Sequence, residues 1–265
     1  MKYYVIADPH SFYTLAREAL ASAGFFADPT PSRLVVCGDL LDRGPEAREL
    51  TEFLLTLHRE GWLIYVRGNH EDLFFGCLQE VARGHSHELA CGMSFHHGNG
   101  TWDTLLSLTG IPEKEAVAMG PSFAALVRET DYYQKLLPLA VNGYETPNYV
   151  FVHGWIPVAE TEMGLPAYDP NWREADPVAW RLARWRNGME AACEYKITEP
   201  GKTVVCGHFH VSYGHAVVEG RGAQHGETAV YTPFAAPGIL ALDACTACSG
   251  FVNCAVLEDG EGVCL

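Results

Sequence analysis

The sequence has no apolar run of transmembrane length, and its first residues, Met-Lys-Tyr-Tyr-Val-Ile-Ala-Asp, carry neither the hydrophobic region nor the cleavage site of a signal peptide. A cytoplasmic protein is therefore expected. Basic residues are scarce as well: 18 Lys and Arg against 33 Asp and Glu leave a formal net charge of -15. So acidic a balance disfavours a nucleic-acid groove or an anionic membrane surface as the main partner. Low-complexity segments are missing, and the nearest thing to a repeat is Val-Val-Cys-Gly at 35–38 and again at 204–207, which reads as two similar strand ends. The cysteines do not form a disulfide framework. There are nine, an odd number scattered along the chain, and Cys37 and Cys206 sit in apolar strands as small hydrophobes. Reduced thiols are expected. Cys245-Thr-Ala-Cys248 has no second Cys-x-x-Cys pair to complete a zinc site, so with Cys254 it reads as a structural turn.

What is present is a chain of 265 residues, 48% hydrophobic, enough to bury a sizeable core. Residues 3–7 read as a strand, 12–23 as a helix stopped by Gly24, and 34–37 as a strand. The segment 46–60 is an amphipathic helix with Leu50, Phe53, Leu54 and Leu57 on one face, and 62–66 is the next strand. This alternation predicts an α/β fold with ligands at strand ends. Residues 72–133 read as helical pieces, with a Gly- and His-rich stretch at 84–100, and are taken as a cap inserted into a single domain spanning 1–265. Further strands are expected at 149–152, 203–206, 216–218, 229–231, 239–242 and 252–257.

Six short pieces carry metal-binding side chains at predicted strand ends: Asp8-Pro9-His10, Gly38-Asp39, Asp42-Arg43, Gly68-Asn69-His70-Glu71, Val152-His153-Gly154 and Gly207-His208-Phe209-His210. One Asp-x-His or Gly-Asp would be an ordinary turn; the set, in order, supplies carboxylate, amide and imidazole ligands for two divalent cations. Two such cations can ionise a shared water and clamp a phosphate. Asp39 is the natural bridge. Asp8 and His10, alternate residues pointing the same way, would hold the first metal. Asn69, His153 and His208 would hold the second, and Asn69 is also placed among the substrate-binding residues. His70 is read as general acid to the leaving alkoxide, Asp42 as the carboxylate that keeps it protonated, and Arg43 as a phosphate clamp.

These pieces resemble the motif series of calcineurin-like metallophosphoesterases. Gly38-Asp39-Leu40-Leu41-Asp42-Arg43-Gly44 and Asn69-His70-Glu71 are most similar to the bacterial phosphoprotein phosphatase branch. Asn99-Gly100-Thr101 with Thr104-Leu105, and Leu136-Leu137-Pro138-Leu139, resemble further segments of that branch, so the resemblance spans roughly residues 3 to 257. It implies a two-sheet α/β sandwich flanked by helices (α-β-β-α layers) and in-line attack by metal-bound water with no phosphoenzyme. Two motifs depart from the branch. Pro9 and Ser11 stand in a motif that usually reads Asp-x-His-Gly, and His210 replaces a Pro. A Gly-His-x-His ending is typical of the wider superfamily, which makes His210 an expected extra ligand of the first metal. The second phosphate-binding Arg of the branch falls at Arg184, about 24 residues before His208, with Arg186 as the alternative.

The expected activity is hydrolysis of phosphomonoesters, phosphoserine and phosphothreonine proteins among them, with two divalent ions, Mn first and Fe, Zn or Mg as alternatives. The expected partner is a phosphorylated protein or small molecule. A dinucleoside polyphosphate, or another small phosphoanhydride or phosphodiester, is the competing substrate class. A non-enzymatic scaffold ranks last, because every ligand and the acid are present. His215 and His225 are expected to be solvated or hydrogen-bonded, and His85, His87, His96 and His97 to lie in a polar loop rather than at a metal.

Overall fold

In the computed structural model, which describes residues 1–92 and 94–265, the first strand already dictates the layering. In β1 (Lys2–Ile6), Tyr3 and Val5 point to one side and Tyr4 and Ile6 to the other, and all four are buried. A strand apolar on both faces must be covered on both. β2 (Ser32–Cys37) and β3 (Leu63–Val66) follow it in parallel. The second half of the chain supplies β4 (Tyr144–Glu145), β5 (Tyr149–Phe151), the small hairpin β6 (Val158–Glu160) and β7 (Pro166–Tyr168), and then β8 (Thr203–Cys206). β9 (Phe234–Ala236), β10 (Ile239–Ala241), β11 (Cys254–Glu258) and β12 (Val263–Cys264) complete it. One sheet has the order β11-β1-β2-β3 and the other β12-β4-β5-β8-β10-β9.

The two sheets meet through Tyr3, Val5, Val35, Cys37, Ile64 and Val66 on one side and Tyr144, Phe151, Val205 and Leu242 on the other. The opposite face of the first sheet, with Tyr4, Ile6, Leu34, Val36 and Tyr65, packs on helices α1 (Tyr13–Ser22) and α2 (Ala47–Arg59). α2 buries Leu50, Leu54 and Leu57, the stripe its spacing predicts, with Phe53 at the stripe's margin. The same apolar cluster takes in α3 (Asn69–Ala82) and the shorter α4 (Ser86–Ala90), skips α5 (Phe95–Gly98), which buries no residue, and continues through α6 (Thr101–Thr109), α7 (Glu113–Met119) and α8 (Pro121–Arg128), by way of Phe74, Leu89, Trp102, Ala116 and Phe123. The expected cap, 72–133, thus consists of helices; its Met93 lies outside the described residues. The second sheet's outer face packs Val150, Val204 and Ile239 on Trp172, on α9 (Pro177–Ala183) and on α10 (Gly188–Cys193). The layers run α-β-β-α, as expected. Among the described residues, no helix is long and apolar enough to cross a membrane.

Two expected strands are not strands. Residues 216–218 belong to a helical turn, Gly214–Val218, because the residue that packs inward is His215, fixed by Thr232 O (2.9 Å) and Glu219 (2.8 Å), while Val217 and Val218 face solvent. Residues 229–231 form an irregular loop with only an isolated bridge at Ala229; the strand of that region lies at β9 instead.

The Trp- and Arg-rich stretch at 169–190 is partly core. Trp172 and Trp180 are buried, and Arg173 stacks over Trp172 at 4.3 Å while binding Glu145 (2.8 Å) and Glu199 (2.7 Å). With Lys202 also on Glu145 at 2.7 Å, these bonds, chiefly that of Arg173, hold the Glu145 carboxyl down to about 2. Its folded pKa lies below the ordinary value of 4.5, so the stabilisation is whole above that pH and is lost as pH falls through about 2. The gap in urea midpoint between wild type and Arg173→Met should therefore shrink steadily across that window; a constant gap would refute the linkage.

Candidate metal centre

Parallel strands deliver their side chains to one edge of a sheet. β1 runs into Asp8 and His10, β2 into Asp39, β3 into Asn69, β5 into His153 and β8 into His208. β10 runs into Asp243, which sequence reasoning missed although it follows an apolar strand by the same rule. Eight of the nine described non-glycine residues with positive φ lie at these loops: Asp8, His10, Ser11, Asp39, Asp42, Arg43, His208 and Cys245. Such conformations persist where the surroundings impose them, and they cluster at functional sites. Gly38, at φ +78°, is required for a second reason: a Cβ there would collide with the His153 ring.

Two groups of side chains have ligand atoms all within 4.8 Å of one another: His10, Asp39 and His70 in one, Asp39, His153 and His208 in the other. Asp39 belongs to both. The imidazoles are pre-set for coordination. His10 Nδ1 is held by Leu41 O at 2.9 Å and His153 Nδ1 by Cys37 O at 2.9 Å, and the His208 ring bonds the Trp185 backbone. Anchoring one ring nitrogen to a carbonyl fixes the tautomer and frees the other for a cation. Burial, aided by Arg43, pushes His10 well below its ordinary pKa, and burial with His153 takes His208 to about 4, so both are neutral, the form that binds metal. Burial would raise the Asp39 carboxyl, but the facing His153, His70 and His10 rings more than reverse this and keep it ionised. Oxygen and imidazole donors in such an anchored set can hold divalent metal ions.

The remaining motif residues place an imidazole–carboxylate pair and a guanidinium beside this cluster. His70 Nδ1 lies 2.6 Å from Asp42 Oδ2, leaving Nε2 3.8 Å from Asp39. Burial lowers the His70 pKa, but Asp39 and the Asp42 hydrogen bond outweigh it and the net shift is upward. Arg43 lays its guanidinium across both rings, Nη1 at 2.7 Å from His10 Nε2 and Nη2 at 3.2 Å from His70 Nε2. Glu71 accepts the buried N–H groups of Gly68, Leu40 (3.0 Å) and Asp39 (3.3 Å), and so ties the β2 and β3 loops together.

The sequence matches the calcineurin-like phosphoesterase family over residues 1–212. The chain belongs to that family. Serine/threonine-protein phosphatase 1 of Salmonella typhimurium is 39% identical over 70 residues, 26% of this chain and 30% of that protein. Bis(5'-nucleosyl)-tetraphosphatase PrpE of Bacillus velezensis is 36% identical over 76 residues, again 26% of this chain and 30% of that protein. The matched segments thus span less than a third of these curated relatives. A mutant of a cold-active protein tyrosine phosphatase superposes with a TM-score of 0.52 at 14% identity, covering 100% of this chain and 80% of that one, a likeness of fold.

Within this calcineurin-like phosphoesterase, the remaining expected site residues sit as follows. Asp8 is buried but in neither ligand group; both its oxygens accept the His208 N–H at 3.0 Å, and burial with Asp243 and Asp39 raises its pKa. Asn69 Oδ1 lies 2.8 Å from His153 Nε2, the ring nitrogen not anchored to Cys37. His210 is outside both groups: its Nδ1 is 2.6 Å from Ser212, and its ring lies against Phe209 and His225. Arg184 is committed to Asp72 (2.8 Å) and Asn142 (3.2 Å), linking α3 to the second sheet's helices, whereas the Arg186 Nε is buried without a partner. His85 pairs with Glu80 at 2.6 Å, and no metal group forms among the described histidines of 84–100. Cys245 bonds Asp243 through its N–H at 2.7 Å, so its turn supports the strand end next to the cluster, and all nine thiols are free.

Proposed function

We propose that this chain hydrolyses phosphomonoesters at a two-cation centre. The observation that carries the reading is the sharing of Asp39 between two candidate ligand groups, buried but for the half-buried His208, whose imidazoles are each anchored from behind. Asp8, His10 and Asp39 would hold one cation; Asp39, Asn69, His153 and His208 would hold the other. His210 is left out, because its ring is turned to His225. Two divalent cations bound there supply Lewis acidity, acidifying water and neutralising phosphate charge. His70, aimed by Asp42, gives a proton to the leaving oxygen. Arg43 binds phosphoryl oxygens with its planar fork. With Arg184 tied to Asp72, Arg186 is the better second phosphate cation. The helices of 72–133 form a cap within one domain, and substrate choice resides there.

Phosphoserine and phosphothreonine proteins are the favoured substrates, in keeping with the segment shared with serine/threonine-protein phosphatase 1. A dinucleoside polyphosphate is the second reading, favoured by the segment shared with the tetraphosphatase PrpE. A panel on Mn-loaded protein decides between them: inorganic phosphate released from phosphopeptides is expected, and nucleotides released from diadenosine tetraphosphate at a higher kcat/KM would favour the second. Absence of turnover with every divalent cation, from folded protein, would end both readings.

A further inference from the structure

Asp42 and Arg43 sit in consecutive left-handed conformations, φ 76° and 64°, which side chains other than glycine rarely adopt. The first turn of α6 closes on them. Thr104 Oγ1 donates to Asp42 Oδ1 at 2.6 Å, and Thr101 Oγ1 donates to Asp42 Oδ2 at 2.9 Å. Both threonines are buried, at 0% and 3% exposure for Thr101 and Thr104. Gly100, at φ +80°, lies so close to the Arg43 backbone that any Cβ there would strike the Arg43 nitrogen. One turn therefore touches the carboxylate that orients His70 and the main chain that carries the Arg43 guanidinium.

We infer that Gly100, Thr101 and Thr104 form a positioning clamp through which the helices of 84–128, rather than the sheets, set the aim of the acid. The inference rests on the reading of His70 as proton donor. A carboxylate turns readily about its terminal torsion, which is broad and two-fold. With Thr104 on one oxygen and Thr101 and His70 on the other, the Asp42 plane is fixed, and the His70 ring with it. Removing one hydroxyl frees that torsion and spoils the angle at which Nε2 is presented, while the Asp39 cluster is untouched. The threonines touch neither substrate nor cation in this scheme; they act through Asp42.

Thr104→Val and Thr101→Val keep side-chain shape and delete one donor each. The test uses Mn-loaded protein with benzyl phosphate, whose leaving alkoxide needs a proton, and 4-nitrophenyl phosphate, whose leaving phenolate does not. On benzyl phosphate kcat should fall roughly 10- to 100-fold, part of what a general acid supplies. On 4-nitrophenyl phosphate it should stay within about threefold for the same reason, with metal content unchanged. Thr104→Ser, which restores the hydroxyl, should recover the benzyl rate. If Thr104→Val does not fold, Thr101→Val carries the comparison. Equal losses on the two esters, or no loss on either, would overturn the clamp. His70→Asn separates the two levels: if it is selective against benzyl phosphate while neither threonine variant is, the clamp alone is wrong. If it treats the esters alike, the acid reading falls and takes the clamp with it.

Discussion

Asp39→Asn should leave the protein without tightly held divalent metal and lower turnover of every phosphate ester by about 10³-fold or more, since a cation pair supplies several kcal/mol of transition-state stabilisation. The reason is geometric: Asp39 is the one residue common to both ligand groups. Its Oδ2 lies 3.9 Å from His10 Nε2 and 3.8 Å from His70 Nε2, while its Oδ1 lies 3.1 Å from His153 Nε2. An amide there keeps one oxygen, enough to accept the His70 backbone N–H now bonded at 2.9 Å, so the loop can stay closed. What it loses is the negative charge and the second oxygen, and a neutral amide cannot bridge two cations. Elemental analysis after exhaustive dialysis, beside circular dichroism, checks the claim: native secondary structure with less than one metal per chain is expected. Full metal content and full activity would remove Asp39 from the bridging role.

Much of this candidate centre was legible because each proposed ligand follows an apolar strand of its own. The runs ending at Asp8, Asp39, Asn69, His153 and His208 are short, β-rich and stopped by a polar residue, so period and punctuation place them. Asp243 obeys the same rule and was passed over because Leu242-Asp243-Ala244 carries no distinctive neighbour. Asp42 does not stand at a strand end: it lies five residues beyond Cys37, the last residue of β2, in the loop that follows. Arg184 shows the limit more clearly. Sequence distance from His208 could nominate it, but not reveal Asp72 waiting on α3, 112 residues away in the chain. The threonines of α6 are similar: the Gly100-Thr101 and Thr104-Leu105 pattern was visible, yet their bonds to Asp42 span 59 and 62 residues and depend on how the inserted helices pack. Val217-Val218 failed for the opposite reason, since local β-propensity gave way to the burial of His215.

His70→Asn carries the second large effect, and it decides between two roles the geometry permits. The ring lies within 4.8 Å of the other ligand atoms of the His10–Asp39 group, as a metal ligand would. It also has the three features of an acid: Nδ1 fixed by Asp42, a raised pKa despite burial, and Nε2 beside the Arg43 guanidinium that would receive the phosphate. What sets His70 apart from the rings read as ligands is its anchor: Nδ1 rests on the Asp42 carboxylate and not on a backbone carbonyl, and such a partner favours the charged, proton-carrying ring. The acid is therefore the expected role. His70→Asn should keep the wild-type metal content and lose roughly 10²- to 10³-fold in kcat on benzyl phosphate, the range general acids supply. On 4-nitrophenyl phosphate, which departs unaided, the loss should be about tenfold or less by the same reasoning. Loss of metal from the variant, with both esters equally slowed, would instead make His70 a ligand and require another donor for the leaving oxygen.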